Sequence, residues 1–200
     1  MKRQFFRCVL TTLLSLPLVA TAQTSLTLPN NGKNEMDRQV AIHTQILRVE
    51  APSNNKKIDW SAVVKSPFTD TPADEFSGVA IVDEKTGAKG FISALSTQAT
   101  VSVITQSTNL TTNQSEVAFQ YQLLSGITDE GVNMTILPLL MPKSLKMQLR
   151  LAIHLYAPLA QTFSQRINIQ SGQTLVLSGV SKNQEKSHKT LILITPVILE

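Results

Sequence analysis

The stretch Leu145-Lys-Met-Gln-Leu-Arg-Leu-Ala-Ile-His-Leu-Tyr156 decides how this chain folds. Every odd position is apolar and, Ala152 apart, every even one is polar. Successive side chains of a strand point to opposite faces, so this alternation reads as one long strand with a dry face and a wet face. The dry face is Leu145, Met147, Leu149, Leu151, Ile153 and Leu155; the wet face is Lys146, Gln148, Arg150, His154 and Tyr156. At about 3.3 Å per residue the strand extends about 40 Å. Tilted near ~45° it rises roughly 28 Å, close to the thickness of a bilayer's hydrocarbon core. The dry face therefore suits two coverings, lipid or the second β layer of a soluble sandwich.

Toward the C-terminus, Ile167-Asn-Ile-Gln170 repeats the alternation, Ser171-Gly172 offers a turn and Thr174 to Ser178 forms the next short strand. The last run, Thr190 to Leu199, is apolar on both faces. Pro196 within it lacks an N–H and belongs at a strand end, an edge or a bulge. Toward the N-terminus, Glu116 to Leu124 reads as a strand, preceded by a polar loop from Gln106 to Gln114 and a strand beginning at Val101. Val40 to Val49 is a further strand, bounded by Ala51-Pro52. Between Ser53 and Gly90 the chain is broken by Pro67, Pro72, Gly78, Gly87 and Gly90, with one short strand, Gly78 to Val82, before a turn from Asp83 to Gly87. Phe91 to Gln98 is the one stretch of helical character. The expected fold is mainly β with one or two short helices and antiparallel pairing.

The opening MKRQFFRCVLTTLLSLPLVATAQ has a basic start, an apolar run from Cys8 to Val19 and an A-x-A site at Ala20 to Ala22. It reads as a secretory signal peptide over residues 1–22, because the apolar run falls short of the roughly 20 residues a spanning helix needs. Gln23 to Gln39, without hydrophobic period, is a flexible lead-in to a β domain over residues 40–200. Lys2, Arg3 and Arg7 lie in the leader, so the formal charge of +4 falls to +1 on its removal, and no basic footprint for nucleic acid remains. Cys8 is the single cysteine, which excludes a disulfide framework in the exported chain.

Motifs for catalysis are missing: no G-x-S-x-G elbow, no P-loop and no Gly-rich dinucleotide fingerprint. His43, His154 and His188 lie far apart without metal-ligand spacing, and the pairs Asp83-Glu84 and Asp129-Glu130 fall in expected turns. The acceptor patterns at Asn109, Asn113 and Asn133 are chance matches in a chain rich in Asn and Thr. The expectation is a non-enzyme without cofactor or metal.

Three motifs in order, Gly131-Val-Asn-Met-Thr-Ile-Leu-Pro138 with the alternating strand after it, Ile167-Asn-Ile-Gln-Ser-Gly-Gln-Thr-Leu-Val-Leu-Ser-Gly179 and Thr190-Leu-Ile-Leu-Ile-Thr-Pro-Val-Ile198, give the C-terminal half a familiar spelling. This order resembles the C-terminal channel domain of secretins, the outer-membrane channels of type II and III secretion and of type IV pili, and is most similar to the type IVb pilus branch. Val40 to Val49 looks like the first secretin strand, and Ile58-Asp59-Trp60 is similar to the segment after that strand in the family. The resemblance implies a homo-oligomeric ring in the outer membrane whose copies contribute strands to one β-barrel, with pilus or secretion-system components as partners. It also implies a gate-proximal role for Thr111, Thr112, Asn113 and Gln114. The barrel wall would include Leu145, Met147, Leu149, Leu151, Ile153, Leu155, Gly172, Gly179 and Pro196.

Departures from the family pattern matter as well. Secretins usually carry several periplasmic domains ahead of the barrel, where only Gln23 to Gln39 stands here. The gate region from Glu116 to Gly131 and the loop from Val180 to His188 are short, Ser107 lies near the place of an expected Pro, and His43 and Arg48 replace acids in the first strand. Two other readings stay open: a periplasmic accessory subunit that kept the fold without the channel, and an unrelated exported β-sandwich adhesin.

Overall fold

The computed structural model describes residues 37–50, 58–63, 78–124, 129–156, 161–178 and 188–199. The expected leader, most of the expected lead-in and Gly179 lie outside these residues. In chain order the elements are β1 (Gln39–Glu50), α1 (Trp60–Val63), β2 (Gly78–Val82), α2 (Gly87–Ser96), β3 (Thr100–Thr112), β4 (Val117–Leu124), β5 (Asp129–Leu140), β6 (Lys146–Leu155), β7 (Gln161–Gln170), β8 (Thr174–Ser178) and β9 (His188–Leu199). The strands form two antiparallel sheets, a first of order β2-β8-β9-β1-β3 and a second of order β4-β5-β6-β7. Both sheets are open within one copy, so the described chain contains no closed barrel.

The alternating stretch explains why the sheets stack. Met147, Leu149, Leu151, Ile153 and Leu155 on β6 are buried at 0–7% exposure. They join Val132, Met134 and Ile136 of β5 and meet Ile42, Ile46, Leu175, Leu177, Ile192 and Ile194 of the first sheet in one core. The dry face is thus covered by a second β layer of the same chain. The first sheet has a core on its other face too: Leu47, Val49, Val176, Leu191 and Leu193 pack against Phe91 and Leu95 of α2 and Trp60 and Val63 of α1. Phe91 and Leu95 stand four residues apart, one above the other on a single helix face. Lys189 Nζ lies 5.5 Å from the ring centroid of the buried Trp60. The first sheet is therefore the middle of three layers, which is why all five residues of β8 and Leu191 to Ile194 of β9 are buried and read as apolar on both faces.

Several local expectations are corrected. The polar loop expected at Gln106 to Gln114 is strand as far as Thr112, because Gln106 to Thr112 pair residue by residue with Gln45 to Gln39 of β1. Pairing, not apolar periodicity, makes this segment a strand, and as the outermost strand of its sheet it buries little. α2 begins at Gly87, four residues before the expected start at Phe91, and ends at Ser96. Asp129 and Glu130 open β5 instead of sitting in a turn. Leu145 precedes β6 in the bend after Pro142 and is 56% exposed, so it does not belong to the dry face. Ser53 to Gly90, read as irregular around one strand, also contains α1.

Candidate functional site

Among the described residues no group of three or more His, Cys, Asp or Glu comes together to hold a metal ion. Two histidine rings, those of His43 and His154, each meet a threonine. His43 Nδ1 lies 2.8 Å from Thr108 Oγ1, and His154 Nδ1 lies 2.6 Å from Thr162 Oγ1 with Tyr156 edge-on at 4.8 Å. His43, Gln45, Gln106, Thr108, Lys89 and Thr195 wall an open groove of about 670 Å³ on the first sheet beside α2. The features with the most to offer are instead the turns that join the sheets, the polar face of the second sheet and the open strand edges.

Thr111 to Gln114 form a rigid corner between the sheets. Asn113 N–H donates to Arg38 O at 3.1 Å, and Gln114 N–H donates to Pro138 O at 2.9 Å. The buried Asn113 Oδ1 accepts from Leu140 N–H at 2.8 Å, and Thr111 Oγ1 donates to Ser115 O at 2.9 Å. Gln114 takes a positive φ of 63°, the left-handed turn position that Asn and Gly usually fill. This corner ties the end of β3 to the start of β1 and the end of β5. The opposite corner is Ser171-Gly172-Gln173, between β7 and β8. Gly172 has φ +86°, and its N–H donates to Pro196 O at 2.8 Å. β8 pairs with β9 only as far as Ile194, so the side on which Pro196 lacks a donor faces the corner and no ladder bond is lost.

The second sheet turns a polar face outward. Its register aligns Gln120, Asn133, His154 and Thr162 in one row, and Ala118, Thr135, Ala152 and Ser164 in the next. The described side chains of this face are amides, hydroxyls, small or apolar groups and the cations Lys146, Arg150 and Arg166. Arg150 and Arg166 stand directly opposite each other, and sequence reading alone had no register with which to see that pair.

Among the open edges, β3 and β4 are uncharged. β3 carries thirteen residues without a charge or a proline, and Val103 and Leu110 on it are 50% and 67% exposed. β4, one edge of the second sheet, is likewise free of charge and proline. The Asn113 corner joins these strands, so both edges lie on one side of the sandwich. Protein edges are commonly blunted by charge, proline or brevity, and neither strand uses those devices. Among the described residues no helix is long and apolar enough to cross a membrane. No family model matches the chain, and no curated protein matches it.

Proposed function

We propose that this chain is an exported, secretin-like subunit that assembles with copies of itself into a ring at the outer membrane, as a channel or collar for a type IV pilus or secreted protein. The observation that carries the reading is the strand count of the second sheet. Four mutually antiparallel strands run from β4 to β7, so β7 of one copy and β4 of the next run in opposite directions when the sheet is continued around an axis. An even count permits an unbroken antiparallel wall, and closure removes every edge of that wall at once. The first sheet has five strands, so its continuation from β3 to β2 would be parallel. The ordered motifs and the leader support the same reading. In this ring the polar face of the second sheet lines the water-filled side, and the first sheet backs its apolar face.

One observation favours the second reading, a periplasmic accessory subunit. The dry face of β6 is spent within the copy's own core, and the described residues leave no continuous apolar band of that strand for lipid. Negative-stain imaging of the tagged protein after detergent extraction of membranes tests the choice. Closed rings of this chain alone support the ring. Single copies, or copies seen only attached to a full-length secretin, support the accessory subunit and overturn the ring.

A further inference from the structure

The register of the second sheet places three charges in one row. Val117 pairs with Ile136, so Glu116, one residue earlier, continues into the row of Leu137. Leu137 pairs with Arg150, and Arg150 pairs with Arg166. Read across the sheet, the row is Glu116, Leu137, Arg150, Arg166. All four line one shallow depression on the polar face, and the three charged residues are exposed. Like charges directly opposite on neighbouring strands repel. The row's acid stands away from the arginine pair inside the copy: neighbouring strands lie about 4.8 Å apart, so the backbone of Glu116 is about 10 Å from that of Arg150 and about 14 Å from that of Arg166. Among the described residues none of the three charged side chains has an ion-pair partner.

The acid lies at one edge of the sheet and the surplus cation at the other. We infer that Arg166 on the β7 edge of one copy pairs with Glu116 at the β4 edge of a second copy, fixing the register of a head-to-tail interface between them. This deepens the ring reading and rests on it. Continuing the row into the next copy gives Glu116, Leu137, Arg150, Arg166 and then the neighbour's Glu116, so every repelling arginine pair gains an acid beside it. Both side chains are long, and diagonal neighbours two residues out of step remain within reach of such groups, so the pairing tolerates a small stagger of the strands. Head-to-tail contacts close into rings when the rotation from copy to copy closes, and the ring reading supplies that closure.

The test is charge reversal in the full-length tagged chain, with assembly read as the fraction running as a heat-sensitive, high-mass band and folding read by circular dichroism. Glu116→Arg and Arg166→Glu should each lower the assembled fraction about tenfold, since facing like charges across an interface are strongly penalised. The double reversal, Glu116→Arg with Arg166→Glu, should restore it to within about twofold of the parent. Arg166→Glu has a second signature. It converts the Arg150–Arg166 repulsion into an attraction within one copy, so it should raise the melting temperature of the unassembled chain while weakening assembly. Single reversals that assemble like the parent, or a double reversal no better than the singles, overturn the pairing while leaving the ring intact. A parent chain that never forms the high-mass band overturns the ring itself, and the pairing with it.

Discussion

Thr44 lies fully buried on β1 between Ile42 and Ile46, and its Oγ1 has no hydrogen-bond partner among the described residues. A hydroxyl buried without a partner gives up its hydration for nothing, and valine has nearly the same shape. Thr44→Val should therefore raise stability by about 1 kcal/mol, or about 2–4 °C in a thermal melt for a domain of this size. A lower melting temperature would show that the hydroxyl is bonded in solution. Leu149 is the opposite case, an apolar side chain at 0% exposure in the centre of the sandwich. Leu149→Ala should cost about 2–5 kcal/mol. Leu149→Asp should abolish the cooperative melt of the single copy, because the charge enters the core between the sheets and not a lipid-facing wall. A folded Leu149→Asp monomer that fails only in membranes would show that this face meets lipid after all. At Asn113, Ala substitution removes the acceptor for the Leu140 N–H and leaves that donor buried, at a cost of about 1–3 kcal/mol measurable by urea titration.

At the scale of elements, the two corners set the order of the sheets, and each holds one left-handed residue. Gly172 at φ +86° would place a Cβ 2.9 Å from Glu84 Cγ, a flexible side-chain atom that can move aside. Backbone strain is the larger part of the effect, so Gly172→Ala should destabilise by about 1 kcal/mol and Gly172→Asn by less, since Asn enters the left-handed region more readily. Equal urea midpoints for the two variants would show that the glycine is needed for space alone. Two elements were readable from sequence: β6, with one dry face, by its period of two, and β8, buried on both faces, within Thr174 to Ser178 as an apolar run between turns. β3 was not readable beyond Thr105. Its Gln106 to Thr112 half is polar because it is an edge, and it is a strand because β1 offers partners, a fact no local pattern carries. The start of α2 hid behind Gly87 and Gly90, poor helix formers whose place is decided by Phe91 and Leu95 packing on the first sheet. Leu145 fits the alternation yet falls outside it, because the bend at 142–145 sets the first paired residue at Lys146.

At the scale of the whole molecule, the middle sheet packs on both faces and the second sheet on one, so the surfaces left for partners are the polar face, the open groove beside α2 and the edges. The alternating strand allowed either lipid or a second β layer as its covering, and only the stacking of the sheets selects the second layer. The Arg150–Arg166 pair and its distant row-mate Glu116 needed the register, which sequence spacing does not supply. The central claim is assembly of many copies into one ring. Electrophoresis of outer-membrane fractions from cells expressing the tagged chain, with and without heating, tests it most directly. A ring predicts a band of very high mass that collapses to single copies on heating. A chain found only as single copies, released with the soluble periplasm, would contradict it.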